Sequence, residues 1–177
     1  MVEIISAGFG GQGVLTAGLI LAKIAINNGK NVTWIPSYGS EMRGGTANCN
    51  VKIDDQEIAS PFVKNIDVLI AMNAPSVEKF ENMIKPDGLL IVNSSMVKGK
   101  KYRDDIRIVK VPANDIAREV NNPKGLNITV LGAFAKATGI FDKDSFIEGI
   151  DGFFASKGIV NPANRLCFEK GYDLLDN

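Results

Sequence analysis

Short apolar segments alternate with amphipathic segments along most of the chain. Val2 to Ala7 form an apolar run that ends at glycines, which predicts a strand buried on both faces. From Gly13 to Asn28 the apolar residues recur at helical spacing and predict the first helix. The same patterns predict further strands at 32–35, 47–53, 68–72, 89–92 and 106–111, and further helices at 75–84, 114–120, 126–138, 142–155 and 163–175.

This order of elements predicts an α/β fold of three layers, in which helices cover both sides of a mainly parallel, doubly wound sheet. Polar and apolar residues alternate over 47–53, so we expect an inserted β-hairpin whose turn at Asp54-Asp55-Gln56 leads to Glu57-Ile58. Pro86-Asp87-Gly88 is expected to end the preceding helix, and the C-terminal third is expected to be helical. With 177 residues and no long linker, we expect one domain over 1–177.

Composition narrows the possible functions. Twenty basic residues balance twenty acidic ones, so no overall field attracts nucleic acid or an anionic membrane. The absence of histidine removes the commonest general base and metal ligand. Cys49 and Cys167 are too few for a four-cysteine zinc or iron–sulfur site and are expected to be buried free thiols. The apolar run at the N-terminus is too short for a signal peptide or a membrane span, so we expect a cytoplasmic protein.

A glycine motif follows the first predicted strand. Gly8, Gly10 and Gly13 have the spacing G-x-G-x-x-G, and such a turn before a helix favours a bound anion. A dinucleotide site also needs an acid about 20 positions further on, at the end of the second strand. That place holds Pro36-Ser37-Tyr38, and no acid occurs before Glu41. Three interpretations of this turn remain open, namely bound NAD or FAD, another phosphate-bearing ligand, and a structural or interface turn. The long amide side chain of Gln12 slightly favours a functional role.

A second loop is predicted at the same edge of the sheet, because the carboxyl ends of parallel strands meet there. Its sequence, SYGSEMRGGT over 37–46, contains Glu41 and Arg43 as candidate recognition groups. The planar guanidinium of Arg43 suits a phosphate or a carboxylate. The alternatives are a plain surface connection and a contact with a partner subunit. No hydroxyl in the loop has a histidine to activate it, so no catalytic nucleophile is predicted.

Three segments together resemble one known family. GFGGQGV (8–14), SYGSEMRGGTANC (37–49) and DVLIAMN (67–73) resemble the gamma subunit of 2-oxoacid:ferredoxin oxidoreductases. The resemblance covers essentially the whole chain, and this combination is much more specific than a glycine motif alone. Within the family, the first two segments are more similar to the 2-oxoglutarate and 2-ketoisovalerate types than to the pyruvate type.

The resemblance implies a subunit of an enzyme that converts a 2-oxoacid, coenzyme A and oxidised ferredoxin into an acyl-CoA, CO₂ and reduced ferredoxin. It implies alpha and beta subunits that hold thiamine diphosphate and a ferredoxin-like delta subunit that holds iron–sulfur clusters. The gamma subunit would contribute to the subunit interface and to the coenzyme A side of the active site. The isolated chain would be inactive, with self-association as a further option.

We therefore expect the two loops to supply binding residues, with no catalytic residue and no metal ligand in this chain. A stand-alone nucleotide-dependent oxidoreductase and a purely structural subunit are the competing hypotheses. The candidate binding residues are Gly8, Gly10, Gly11, Gln12, Gly13, Tyr38, Glu41, Met42, Arg43, Gly44 and Gly45.

Overall fold

A computed structural model of the chain describes residues 1–38 and 46–176. Its strands are β1 (Val2–Phe9), β2 (Asn31–Tyr38), β3 (Thr46–Asp54), β4 (Ile66–Ala71), β5 (Ile84–Asn93) and β6 (Arg107–Val111). Its helices are α1 (Val14–Asn27), α2 (Ala74–Phe80), α3 (Ala113–Glu119), α4 (Leu126–Thr138), α5 (Lys143–Ala155) and α6 (Pro162–Asp173). Short 3₁₀ turns occur at Glu81–Met83, Pro123–Gly125 and Leu174–Asp176.

The six strands form one mixed sheet in the order β2-β3-β1-β4-β5-β6. β1, β4, β5 and β6 pair in parallel, whereas β3 runs antiparallel to both of its neighbours, β1 and β2. The predicted α/β fold with a mainly parallel sheet and a helical C-terminal third is therefore confirmed.

Successive residues of the central strands face opposite sides of the sheet, as the pleat requires. Ile4 and Ile70 pack into a core that is shared with α1 and α3 to α6. Ile5 and Leu69 pack into a smaller core with Val77 of α2. Helices thus cover both sides of the sheet, which confirms the three layers.

The strand β3, predicted to form a hairpin with the residues after it, has other partners. β3 pairs with β2 and β1, and Glu57-Ile58 lies outside any strand, so the prediction of a hairpin turn at Asp54-Asp55-Gln56 was wrong. Side chains hold the following segment against the polar face of β3 instead: the Val63 N–H donates to Asn50 Oδ1 at 3.1 Å. Alternation identifies a strand with one polar face, but it does not identify its partner.

The predicted helix end at Pro86-Asp87-Gly88 was also wrong, because these residues lie within β5. The helix ends at Phe80 and the chain continues as the 3₁₀ turn before β5 begins. Arg103 Nη1 donates to the carbonyls of Glu81 and Ile84, both at 2.9 Å, and so satisfies acceptors that follow the helix. Asp87 has a φ of 61°, and the pairing of β5 with β4 shifts register here, between Ile84 and Leu89.

The cysteines are free and buried, as predicted. Burial raises the pKa of the Cys49 thiol to about 11 and also raises the pKa of Cys167, which makes both thiols poor nucleophiles.

No helix in the described part of the chain is long and apolar enough to span a membrane. Within residues 1–38 and 46–176, no three metal-ligating side chains form a group suited to a metal ion.

Candidate functional site

The glycine motif forms a tight turn between β1 and α1. Gly11 has a φ of 91° and Gly13 a φ of 72°, values that side chains disfavour and glycine adopts freely. Gly13 immediately precedes α1, and its carbonyl accepts the Ala17 N–H at 2.9 Å. This is the first hydrogen bond of the helix. The N–H groups of residues 14–16 come before it in the chain and therefore have no acceptor within the helix.

Gly8 lies inside β1 rather than in the turn, and it has a packing role. A Cβ atom at this position would lie 2.7 Å from Gln12 Oε1 and 2.8 Å from both Met72 Cβ and Val14 Cγ1. Only a residue without a side chain leaves room for these three groups. Gly8 thus allows the Gln12 side chain to fold back over the strand end.

The Gln12 amide binds within the chain. Its Oε1 accepts the Phe9 N–H at 2.7 Å, and its Nε2 donates to the Met72 carbonyl at 3.2 Å. Asn73 Nδ2 also donates to Gln12 Oε1, at 3.4 Å. The side chain thereby joins the carboxyl ends of the neighbouring strands β1 and β4. Contact of Gln12 with a ligand stays a prediction.

The gap between β1 and β4 is the switch point of the sheet, because α1 follows β1 on one side and α2 follows β4 on the other. Dinucleotides bind at this point in doubly wound folds. Here the Gln12 side chain crosses the gap, and β2 ends at Tyr38 without a ribose-binding acid. Both observations argue against the dinucleotide alternative.

A cavity of about 450 Å³ lies on the side of the glycine turn that faces β2 and β3. It is open to the backbone of the turn and of the first turn of α1, and the end of β2 and the start of β3 complete its wall. None of the described lining residues carries a charge. The lining residues are Phe9, Gly10, Gly11, Gly13, Val14, Leu15, Thr16, Tyr38 and Ala47.

The structure brings part of the predicted site together. Gly10, Gly11, Gly13 and Tyr38 line the cavity, whereas Gly8 and Gln12 do not. The other predicted residues lie outside the described residues; these are Glu41, Met42, Arg43, Gly44 and Gly45. Tyr38 and Ala47, which flank these residues in the sequence, both line the cavity.

Two groups of residues were missed by the sequence analysis. Leu15 and Thr16 line the cavity, and a longer motif that included the first helical turn would have found them. Asn127 of α4 donates from Nδ2 to the Gly13 carbonyl at 3.2 Å. No sequence signal connects Asn127 with the turn, because the contact depends on how α4 packs beside α1.

Another cavity, of about 380 Å³, lies between the end of α5 and the start of α6. Phe154, Ile159 and Val160 give it a largely apolar wall. Ligands of open α/β sheets bind at the carboxyl edge of the strands, which is where the glycine turn lies. The cavity beside the glycine turn is therefore the better candidate for a ligand site.

Comparison with known proteins identifies the family. The family model described as "Pyruvate ferredoxin/flavodoxin oxidoreductase" matches residues 3–174. The chain belongs to this family. Subunit VorA of ketoisovalerate oxidoreductase from Methanothermobacter marburgensis is 37% identical over 94% of this chain, which spans 35% of that relative. Subunit KorC of 2-oxoglutarate synthase from Methanocaldococcus jannaschii is 35% identical over 97% of this chain and 92% of the relative.

Solved structures of family members have the same fold. The gamma subunit of a keto/oxoacid ferredoxin oxidoreductase from Geobacter sulfurreducens has a TM-score of 0.82 and 28% identity, with 98% of this chain and 97% of that chain covered. The 2-oxoglutarate:ferredoxin oxidoreductase from Magnetococcus marinus, solved with 2-oxoglutarate, coenzyme A and succinyl-CoA, has a TM-score of 0.88 and 23% identity. It matches 99% of this chain and 31% of that one. The resemblance inferred from the three sequence motifs is confirmed.

Proposed function

We propose that this chain is the gamma subunit of a 2-oxoacid:ferredoxin oxidoreductase. The complex converts a 2-oxoacid, coenzyme A and oxidised ferredoxin into an acyl-CoA, CO₂ and reduced ferredoxin. Family membership over residues 3–174 supports this proposal, as do full-length matches to single subunits such as KorC. The proposed oxoacid is 2-oxoglutarate, with 2-ketoisovalerate or pyruvate as the alternatives, since relatives of all three types match this chain.

The chemistry lies in partner subunits. With two buried cysteines and no histidine, this chain lacks the ligands for an iron–sulfur cluster and the usual acid–base group. Alpha and beta subunits hold thiamine diphosphate, a ferredoxin-like delta subunit holds the clusters, and ferredoxin accepts the electrons. The complex acts in the cytoplasm, and this chain contributes binding surface to it.

The cavity at the glycine turn forms part of the coenzyme A side of the active site. The observation that carries this proposal is the open first turn of α1, where the N–H groups of Val14, Leu15 and Thr16 precede the first helical hydrogen bond. Such groups and the helix dipole favour a phosphate. The described wall has no carboxylate that would repel an anion. We assign the positive charge of the site to Arg43, which lies between Tyr38 and Thr46 in the sequence.

Replacing Arg43 tests the coenzyme A role. In the assembled complex, Arg43→Ala is expected to raise the KM for coenzyme A about tenfold or more, because a hydrogen bond to a charged group is lost. The KM for the 2-oxoacid should stay unchanged. Arg118→Ala, on an exposed side of α3, is the matched control. An unchanged KM for coenzyme A in Arg43→Ala would contradict the assignment of Arg43 to the site.

The outer side of α1 is the proposed contact with a larger subunit. Leu15, Leu19 and Ile26 lie on one side of the helix at positions i, i+4 and i+11, and Leu19 and Ile26 are 38% and 60% exposed. Lys23 is the only charged residue of α1. A helix that is apolar on all sides is normally buried. Leu15 also lines the cavity, so the apolar stripe continues from the proposed ligand site.

Charges on this stripe should prevent assembly. The double variant Leu19→Glu, Ile26→Glu is expected to reduce the fraction of chain that co-purifies with the other subunits at least about tenfold, because both carboxylates would be desolvated at the interface. The unfolding curve of the isolated chain should change little, since both side chains are exposed. Leu166→Glu, at a half-exposed leucine of α6, is the control. Equal recovery of the stripe variant and the control would refute this contact.

A further inference from the structure

Three amide side chains converge on the glycine turn from different parts of the fold. Gln12 lies in the turn, Asn73 follows β4, and Asn127 lies in the first turn of α4. Gln12 binds the backbone of Phe9 and Met72, and Asn127 binds the carbonyl of Gly13. We call Gln12, Asn73 and Asn127 the amide clamp.

The clamp is built into the core. Asn73 and Asn127 are both buried. Asn73 Oδ1 also accepts the Ser76 N–H at 2.9 Å at the start of α2, which fixes its orientation. A Cβ atom on Gly13 would lie 2.6 Å from Asn127 Nδ2, so the glycine at this position admits the third amide. The glycine backbone thus leaves the space that the Asn127 amide occupies, and this amide in turn binds the Gly13 carbonyl.

The clamp acts on one side of the turn and leaves the other side free. Gly10 and Gly11 face the cavity and are exposed, and no atom lies within 4 Å of a Cβ built on either residue. A turn with several glycines is flexible on its own, and binding a ligand would require it to be ordered. Hydrogen bonds to both ends of the turn remove that cost before the ligand arrives.

We infer that Gln12 is a positioning residue. It does not touch coenzyme A, but it holds the glycine turn and the first N–H groups of α1 in the conformation that receives the ligand. It also occupies the gap between β1 and β4, so that the ligand approaches from the side of Tyr38 and Thr16. This inference rests on the proposed function, since it assigns a role toward the same ligand.

The test uses Gln12→Met, which keeps the length of the side chain and removes both of its hydrogen-bonding groups. In the assembled complex, the backbone amides of residues 10–16 should exchange hydrogen about tenfold faster, because one anchor of the turn is lost. The KM for coenzyme A should rise about tenfold, with kcat within about twofold of the parent value. Gln56→Met is the matched control, at an exposed glutamine outside the strands.

A second variant separates the hydrogen bonds from simple packing. Gln12→Glu keeps an oxygen that accepts the Phe9 N–H but loses the donor to the Met72 carbonyl, so its amide exchange should lie between those of the parent and Gln12→Met. Because it also adds a negative charge beside an anion site, its KM for coenzyme A should be at least as high as that of Gln12→Met. A loss of kcat with an unchanged KM would overturn the positioning role. Unchanged amide exchange in Gln12→Met would overturn the clamp itself.

The same measurements distinguish failure of this inference from failure of the proposed function. Faster exchange in Gln12→Met with an unchanged KM for coenzyme A overturns the positioning role. If Arg43→Ala raises that KM in the same assay, the coenzyme A site stands without the clamp. If neither variant changes the KM, the proposed coenzyme A role fails as well.

Discussion

Gly171→Ala should lower the free energy of unfolding by about 3 kcal/mol, because it introduces a side chain between two helices that touch through their backbones. A Cβ atom at Gly171 of α6 would overlap the carbonyl oxygen of Thr129 in α4, and it would lie 2.8 Å from the carbonyl carbon. Gly132 of α4 is similarly close to the backbone of Phe168. Backbone atoms cannot rotate away as the end of a side chain can, so α4 and α6 would have to separate.

The separation would disturb the aromatic core below these helices. Phe146 and Phe168 are fully buried, and their ring centroids lie 5.8 Å apart. Urea denaturation of the isolated chain measures the effect. Gly152→Ala is the matched control: no atom lies within 4 Å of its Cβ position in α5, and the better helix propensity of alanine should stabilise the protein by up to about 1 kcal/mol. The same sign of change in both variants would contradict the backbone contact.

Lys52→Met should cost about 3–5 kcal/mol, because it leaves a carboxylate buried without its counter-ion. Lys52 Nζ lies 2.8 Å from Glu3 Oε1, and the two side chains are only 7% and 9% exposed. The remaining oxygen of Glu3 accepts the Asn65 N–H at 3.1 Å. The pair therefore joins β3, β1 and the segment that crosses the sheet before β4.

Two further variants separate burial from charge. The double variant Glu3→Gln, Lys52→Met should be more stable than Lys52→Met alone, since no charge is left unpaired. Lys170→Met removes an ion pair of similar length, 2.7 Å to Glu119, at an exposed position, and should cost less than about 1 kcal/mol. A cost for Lys52→Met that is no larger than that for Lys170→Met would refute this account.

The same pair gives stability a pH dependence. Burial raises the pKa of the Glu3 carboxyl, but the hydrogen bond from Lys52, the backbone N–H of Asn65 and the charge of Lys52 together lower it below its ordinary value. A carboxyl whose pKa is lower in the folded state stabilises the fold above its unfolded pKa, and this contribution is lost as the pH falls through the folded pKa. Urea denaturation at a series of acidic pH values should show a shallower fall in Glu3→Gln than in the parent.

Local sequence patterns were sufficient where the structure depends on near neighbours. The predicted helix over 126–138 agrees with α4, because Gly139 adopts a φ of 59° and ends it. The start of α5 was predicted closely, since Asp142 caps it by accepting the Ser145 N–H. The position of β3 was predicted, but its pairing with β1 was not, because pairing depends on residues distant in the chain.

The candidate site, like the fold, was predictable only where it depends on residues that are close in the sequence. Glycine spacing located the turn between β1 and α1, and the positive φ values of Gly11 and Gly13 explain two of the glycines. The inward direction of the Gln12 amide could not be predicted, because its acceptor at Met72 directly follows another strand, β4, and is distant in the chain. Alternation such as that of residues 47–53 is typical of a half-exposed strand, whereas the structure buries Lys52 on the polar face against Glu3.

We propose above that this chain forms part of the coenzyme A site of an assembled oxidoreductase. Photo-crosslinking with a coenzyme A analogue that carries a photoreactive group tests it most directly, with the whole complex and mass-spectrometric mapping of the labelled peptides. We expect labelling of this chain within residues 9–16 or 38–47, and we expect excess coenzyme A to suppress it. Labelling confined to the other subunits, with none on this chain, would contradict it.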